Sequence, residues 1–375
     1  MSVLFDLINI SHYYGRNPAY VIAGGGNTSY KTSDKLWVKS SGIPLAEIGE
    51  DGFVCLEREK LKLIPAKKYP VEVAAREKAV MQDLMAAVIT YEIPEDGKAM
   101  PRPSVETSLH NILQHSFVVH THPTLVNALL CADGTRERTE EIFGNDVLYI
   151  EYTDPGYTLF RKTSQELDRY RHLHGTEPPV IFLQNHGMIA GADSIDRIIS
   201  LTDNINRKIE EHISKALPDP GPGRHGKTME ELLKKLSVTK GRNYTGARSS
   251  LIDYFVSSSD IFEGVSRPFT PDDIVYCRSE YLFVNRPGEL NESIDAFVKA
   301  NAYYPHIIAI KDNGIIATGS SAEQAGISLD IFINMMKVSF LSHNFGGPKP
   351  LTDRQISFIE NWESENYRRN KINEK

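Results

Sequence analysis

Cysteine is scarce in this sequence: Cys55, Cys131 and Cys277 are the only three in 375 residues. An odd, widely spaced set with no Cys-x-x-Cys pair excludes a disulfide framework and a thiolate metal site. The three read as buried small hydrophobes in a reducing cytoplasm. No apolar run reaches about 18 residues, so no membrane span is expected. Met1-Ser2-Val3-Leu4-Phe5-Asp6 lacks a basic segment ahead of an apolar one and is not read as a secretory signal. A basic surplus is missing too. The formal net charge of −7 argues against nucleic acid as a partner. It leaves room for a phosphorylated small molecule, because one local nest of backbone N–H groups binds phosphate on an acidic protein. The glycine-rich stretch at residues 23–29 is not the Gly-x-Gly-x-x-Gly of a dinucleotide-binding turn, and no dinucleotide-binding half is expected.

What is present is the composition of a globular α/β chain, 41% apolar and 24% charged, with length for two to three domains. Helix-period and strand-period segments alternate. Residues 71–90 and 105–114 read as helices, the second with Ser104 as N-cap. Short β-branched or aromatic strands are expected at 36–39, 52–56, 117–121, 147–152 and 180–184. Leu217-Pro218-Asp219-Pro220-Gly221-Pro222-Gly223 cannot continue a helix or join a sheet interior. The expected organisation is a catalytic domain over 1–217, a linker over 218–250 and a C-terminal α/β region over 251–375. Thr352-Asp353-Arg354-Gln355 is a capping-box pattern opening the last helix. Residues 178–194 and 305–321 align without gaps at an offset of 127, sharing Pro178/Pro305, Ile181/Ile308, Gly187/Gly314, Ile189/Ile316, Ala190/Ala317 and Ser194/Ser321. The match reads either as a chance strand–turn–strand resemblance or as a degenerate repeat in the second half. That half lacks the histidines, since His186 falls opposite Asn313 and no His-x-His occurs there.

The chemistry concentrates in Phe117-Val118-Val119-His120-Thr121-His122-Pro123. Residues two apart on a strand share a face, so His120 and His122 suit one metal ion. His172-Leu173-His174 has the same spacing but follows a charged stretch; on a helix such residues diverge by about 200°, and that pair reads as solvated surface. His186 ends the strand 180–184 ahead of Gly187. Three imidazoles leave a zinc-type ion an open coordination position, as catalytic sites do. Glu106 and His110 share a helical face by their spacing, which suits either a surface polar pair or a proton shuttle beside a metal. Ala23-Gly24-Gly25-Gly26-Asn27-Thr28-Ser29 and Ser40-Ser41-Gly42 read either as turns or as two parts of an anion nest.

Together these pieces resemble the class II aldolase/adducin family. Gly26-Asn27-Thr28-Ser29, Ser41-Gly42-Ile43-Pro44, Pro103-Ser104-x-Glu106-x-x-x-His110, His120-Thr121-His122-Pro123 and Asn185-His186-Gly187 occur in family order over roughly residues 20–200. The resemblance implies a mainly antiparallel central sheet flanked by helices. It implies Zn²⁺ or another divalent cation on His120, His122 and His186, and Glu106 as acid/base. It also implies a substrate phosphate on Asn27, Ser41, Gly42 and Ser104, and a cytoplasmic homo-oligomer, commonly a tetramer. The activity implied is cleavage of a ketose 1-phosphate to dihydroxyacetone phosphate and an aldehyde, with Tyr152 or Tyr157 as donor to the aldehyde oxygen. Sugar-phosphate dehydratases and epimerases of the family, and metal-free adducin-like binding proteins, are the alternatives. Val105 stands where the compact enzymes carry a serine. The length resembles the aldolase half of aldolase–short-chain-dehydrogenase fusions.

Overall fold

In the computed structural model residues 3–89, 101–219, 227–236 and 242–362 are described. Two compact units emerge. One comprises Met1–Leu130, Arg136–Glu211 and Trp362–Ser364; the other comprises Cys131–Thr135, His212–Asn361 and Glu365–Lys375.

The first unit is built on a seven-stranded sheet: β1 (Asn27–Lys31), β2 (Lys35–Lys39), β3 (Phe53–Glu57), β4 (Phe117–Thr121), β5 (Val147–Ile150), β6 (Val180–Leu183) and β7 (Gly187–Ala192). Their order is β3-β2-β1-β4-β7-β6-β5. Every pair is antiparallel except β5 with β6, as the mainly antiparallel reading required. The strands expected from sequence are present to within two residues at either end. One face carries Leu36, Val38, Val118, Ile181 and Ile189. It packs against Val80 and Leu84 of the helix Val73–Ala87, Leu109 of Thr107–Ile112, and Leu159, Phe160 and Leu167 of Tyr157–His174. Burying such side chains stabilises by roughly 1.5–3 kcal/mol each. Val118, His120 and His122 share a face by strand alternation, so the apolar layer gives way to histidine at the end of β4.

Two helix readings need correction. The second helix is Thr107–Ile112 with Glu106, not Ser104, at its N-cap position; Ser104 Oγ instead accepts the Glu106 N–H at 3.2 Å. Its hydroxyl thus serves a turn ahead of the helix. The first helix spans Val73–Ala87, and residue 90 lies outside the described residues. His172 and His174 lie exposed in the last turn of Tyr157–His174, as read.

The second unit has its own sheet: β8 (Asn243–Ala247), β9 (Leu282–Val284), β10 (Ile307–Ile310) and β11 (Gly314–Gly319), in the order β8-β11-β10-β9. The expected linker 218–250 is corrected in part, because it supplies β8 and the helix Lys227–Leu236, whose Met229, Leu232 and Leu236 join the core of this unit. Their apolar spacing was masked by flanking charge. Pro220-Gly221-Pro222-Gly223 lies outside the described residues. Thr352 N–H and Oγ1 both donate to Gln355 Oε1, at 2.7 and 2.9 Å, opening the helix Asp353–Asn361 as the capping pattern implied.

The repeat at offset 127 holds in three dimensions. Ile181↔Ile189 in the β6–β7 hairpin becomes Ile308↔Ile316 in β10–β11. Asn185 and Asp312 both take left-handed backbone in the turn, with φ 54° and 58°. β9 runs parallel to β10 as β5 does to β6. Ser194 and Ser321 each cap the following helix through the N–H three residues on. That second helix, Ala322–Ser342, with its extension to Phe345, is long and apolar enough by composition alone to cross a membrane, as a core helix also can be. Its most apolar window is 67% buried within the fold.

Candidate metal centre

His120 and His122 reach the site because β4 is central. β1 flanks it with Asn27 opposite His120, and β7 flanks it with Ile189 opposite His120. His122 follows the strand and its N–H donates to Tyr20 O at 3.0 Å. His186 sits in the β6–β7 turn, where its N–H donates to Leu183 O at 3.1 Å and Asn127 Nδ2 donates to its carbonyl at 3.3 Å. Gly187 lets this turn approach β4. A Cβ there would lie 2.4 Å from Thr121 O and 2.7 Å from His122 Cδ2.

The three side chains converge, with one ligand nitrogen from each lying within 4.8 Å of the others. His120 Nδ1 is 2.9 Å from Met188 O. A carbonyl only accepts, so Nδ1 carries the proton and Nε2 keeps its lone pair for a metal. His120 Nε2 and His122 Nε2 are 3.0 Å apart. At that distance a neutral His122 donates its Nε2–H to the His120 Nε2 lone pair, and once that proton is displaced the donor set suits a divalent ion.

Glu106 completes the cluster. Its Oε1 lies 3.4 Å from His120 Nε2 and 3.5 Å from His186 Nε2, while Asn27 Nδ2 donates to its Oε2. Burial pushes its pKa up, but His120, His186 and His122 pull harder and hold it at about 2. The carboxylate is thus ionised and aimed at the point where the imidazoles meet.

The expected anion-holding residues gather beside it. Ser41 N–H donates to Arg102 O at 2.8 Å, and Ser40 bridges to Pro103. This joins the Ser40–Gly42 turn to the segment carrying Ser104 and Glu106. Gly42 has φ 88°. Lys39, only 3% exposed, donates from Nζ to Gly24 O at 3.2 Å and so links β2 to the glycine turn. Sequence reasoning passed over Lys39, although its place immediately before Ser40-Ser41-Gly42 was the available signal. Asn127 and the Met188 carbonyl were also missed, because neither residue type marks itself. Tyr152 lies after β5, its N–H donating to Gln184 Oε1 at 3.0 Å, two residues before His186. Tyr157 opens the helix Tyr157–His174, its N–H on the Glu77 carboxylate at 3.2 Å.

The family model described as "Class II Aldolase and Adducin N-terminal domain" matches residues 6–212, which contain every residue of this cluster. The chain belongs to that family. Among solved structures it is similar to the N-terminal class II aldolase domain of a conserved Thermoplasma acidophilum protein. That match has 26% identity and a TM-score of 0.46, covering 56% of this chain and 93% of the other. It is also similar to an L-fuculose 1-phosphate aldolase, with 17% identity and a TM-score of 0.37, covering 63% of this chain and 98% of the other. A Bacillus subtilis protein named uncharacterized oxidoreductase YuxG is 23% identical over 97% of this chain; the match spans 58% of that protein's length.

Proposed function

We propose that this chain is a metal-dependent aldolase that reversibly cleaves a ketose 1-phosphate to dihydroxyacetone phosphate and an aldehyde. One observation carries the reading: a largely buried carboxylate, held by Asn27, faces the three converging imidazoles of His120, His122 and His186. Those imidazoles would hold Zn²⁺ or another divalent ion, which supplies Lewis-acid polarisation of the ketose carbonyl and several kcal/mol of stabilisation for enediolate charge. Glu106, ionised in the resting site, takes the proton from the nucleophilic carbon in the synthetic direction and returns it after carbon–carbon cleavage. Tyr152 donates to the aldehyde oxygen during synthesis and takes that proton back in cleavage. Asn27, Ser41, Gly42 and Ser104 hold the phosphate, with Lys39 supplying positive charge beside the glycine turn. Three free buried cysteines accord with a cytoplasmic setting, and the assembly we expect is a homo-oligomer, a tetramer as is common in the family.

The test is elemental analysis of wild type and His122→Ala, then assay of ketose 1-phosphates for aldehyde release. About one divalent ion per chain, lost in the variant, with aldehyde released by wild type alone, supports the proposal. A loaded chain that gives an epimer or a dehydrated product replaces aldolase with the corresponding family chemistry. Full aldehyde release from metal-depleted protein removes the metal reading altogether. Glu106→Gln is expected to keep bound metal at saturating concentration, with weakened affinity, and to lose turnover, whereas His120→Ala loses both.

A further inference from the structure

Asn27 and Ser29 lie two apart on β1 and share a face; Glu106 and His110 lie four apart and share the face of a short helical segment. The two pairs meet rung for rung. Asn27 Nδ2 donates to Glu106 Oε2, and Ser29 Oγ lies 2.7 Å from His110 Nδ1. Ser29 and His110 are both 0% exposed. The helix between the rungs, Thr107–Ile112, has only six residues, too few to hold its orientation by intrinsic propensity.

We infer that the Ser29–His110 pair is a positioning device for Glu106: it fixes the roll of this short helix so that the carboxylate stays aimed at the histidine cluster. Asn27 alone restrains one carboxylate oxygen, while the second rung sets the direction from which the side chain arrives. His110 is no proton carrier in this arrangement. Its Nε2 is buried without a hydrogen-bond partner, and burial drives the ring toward the neutral form, with a pKa down at about 3. Deleting the serine hydroxyl would leave both ring nitrogens unbonded, a state costly enough to make the helix turn in search of partners.

The inference rests on the proposed metal site but not on aldolase activity, so its test uses Co²⁺ binding, followed by chelator competition and by the visible absorption of the bound ion. Ser29→Ala is compared with wild type, and the same substitution is made in a Glu106→Gln background. Partners that orient groups at a metal site typically contribute 10–100-fold in affinity. The expected result is an affinity loss of about tenfold for Ser29→Ala when Glu106 is present, a changed Co²⁺ spectrum, and little further change in Glu106→Gln. Ser29→Thr, which keeps the hydroxyl, should restore wild-type binding. His110→Asn approaches the same rung from the helix side; by keeping a polar atom near the Nδ1 position it should lose less than His110→Leu. Equal losses in both backgrounds would mean that the pair supports the histidines or the fold generally, and would overturn the inference. Failure of wild type to take up Co²⁺ would overturn both this and the proposed function. Uptake without aldehyde release removes only the aldolase reading, and the two-background comparison still decides the role of Ser29.

Discussion

Gly187→Ala should disrupt the metal site, while the matching change in the second unit, Gly314→Ala, should not. At Gly187 an added Cβ meets Thr121 O at 2.4 Å and His122 Cδ2 at 2.7 Å. Ordinary contacts of a Cβ begin near 3.4 Å, so backbone and ring must retreat by about 1 Å, an overpacking strain typically costing about 1–3 kcal/mol. The obstacle is the backbone of β4 between two proposed ligands, so relief comes by moving β4 from β7 or by displacing the His122 ring. Either movement spoils the convergence of the imidazoles. At Gly314 an added Cβ meets Ala247 O at 2.5 Å, and φ is 114°, so Gly314→Ala carries a backbone penalty as well. Urea denaturation should show both variants destabilised, Gly314→Ala at least as much. Chelator competition should show metal affinity lowered tenfold or more in Gly187→Ala and unchanged in Gly314→Ala. Each tenfold corresponds to about 1.4 kcal/mol. Unaltered affinity in a folded Gly187→Ala protein would refute the claim that this glycine sets the spacing of the ligand strand.

Lys39→Met should raise KM for a phosphorylated substrate about tenfold or more, the scale of one charged hydrogen bond, with metal affinity unchanged; an unmoved KM would remove Lys39 from the anion site. The metal-free chain should lose stability in acid, from two groups acting in the same direction. His110 is held neutral, its pKa lowered to about 3 by burial, so the unfolded chain binds its proton first and stability falls as pH drops below the ordinary histidine value of 6.5. Glu106, depressed from 4.5 to about 2 against the opposing push of burial, adds a second loss as pH falls through that lower window. Urea midpoints at pH 7 and 5 should converge in His110→Asn relative to wild type. Parallel slopes would show that His110 does not titrate on unfolding.

The family and the candidate cluster were legible because motif order depends on residue type: spacing left plainer readings of His120, His122, His186 and Glu106 open, the resemblance singled them out, and the structure draws them together. What escaped was everything expressed through backbone or through ordinary residues. The Met188 carbonyl that sets the His120 tautomer has no sequence mark. Lys39 resembled any strand lysine, and only its burial beside Gly24 distinguishes it. His110 looked equally suited to a surface polar pair, because helical spacing says which residues share a face but not whether that face is covered by a strand. The linker reading failed for a related reason. Pro and Gly near 220 end one element, but they carry no information on how soon the next begins.

The repeat explains why, among the described residues, one half of the chain gathers three histidines and the other does not. Carrying the register across by 127 residues, Ile189 opposite His120 becomes Ile316 opposite Gly246, and Met188 opposite Thr121 becomes Ile315 opposite Ala247. His186 becomes Asn313. The close strand approach survives, since Gly187 lies against Thr121 O as Gly314 lies against Ala247 O; the turn geometry therefore belongs to the fold and not to metal binding. At the position of His120 the second sheet has a glycine, and a Cβ on Gly246 would meet Met229 Sδ at 2.8 Å. A thioether from the helix Lys227–Leu236 fills the volume that an imidazole takes in the first unit. Restoring histidines there would therefore need Met229 removed as well. The same hairpin supports a polar cluster in one unit and an apolar core in the other according to what covers the strand that flanks it.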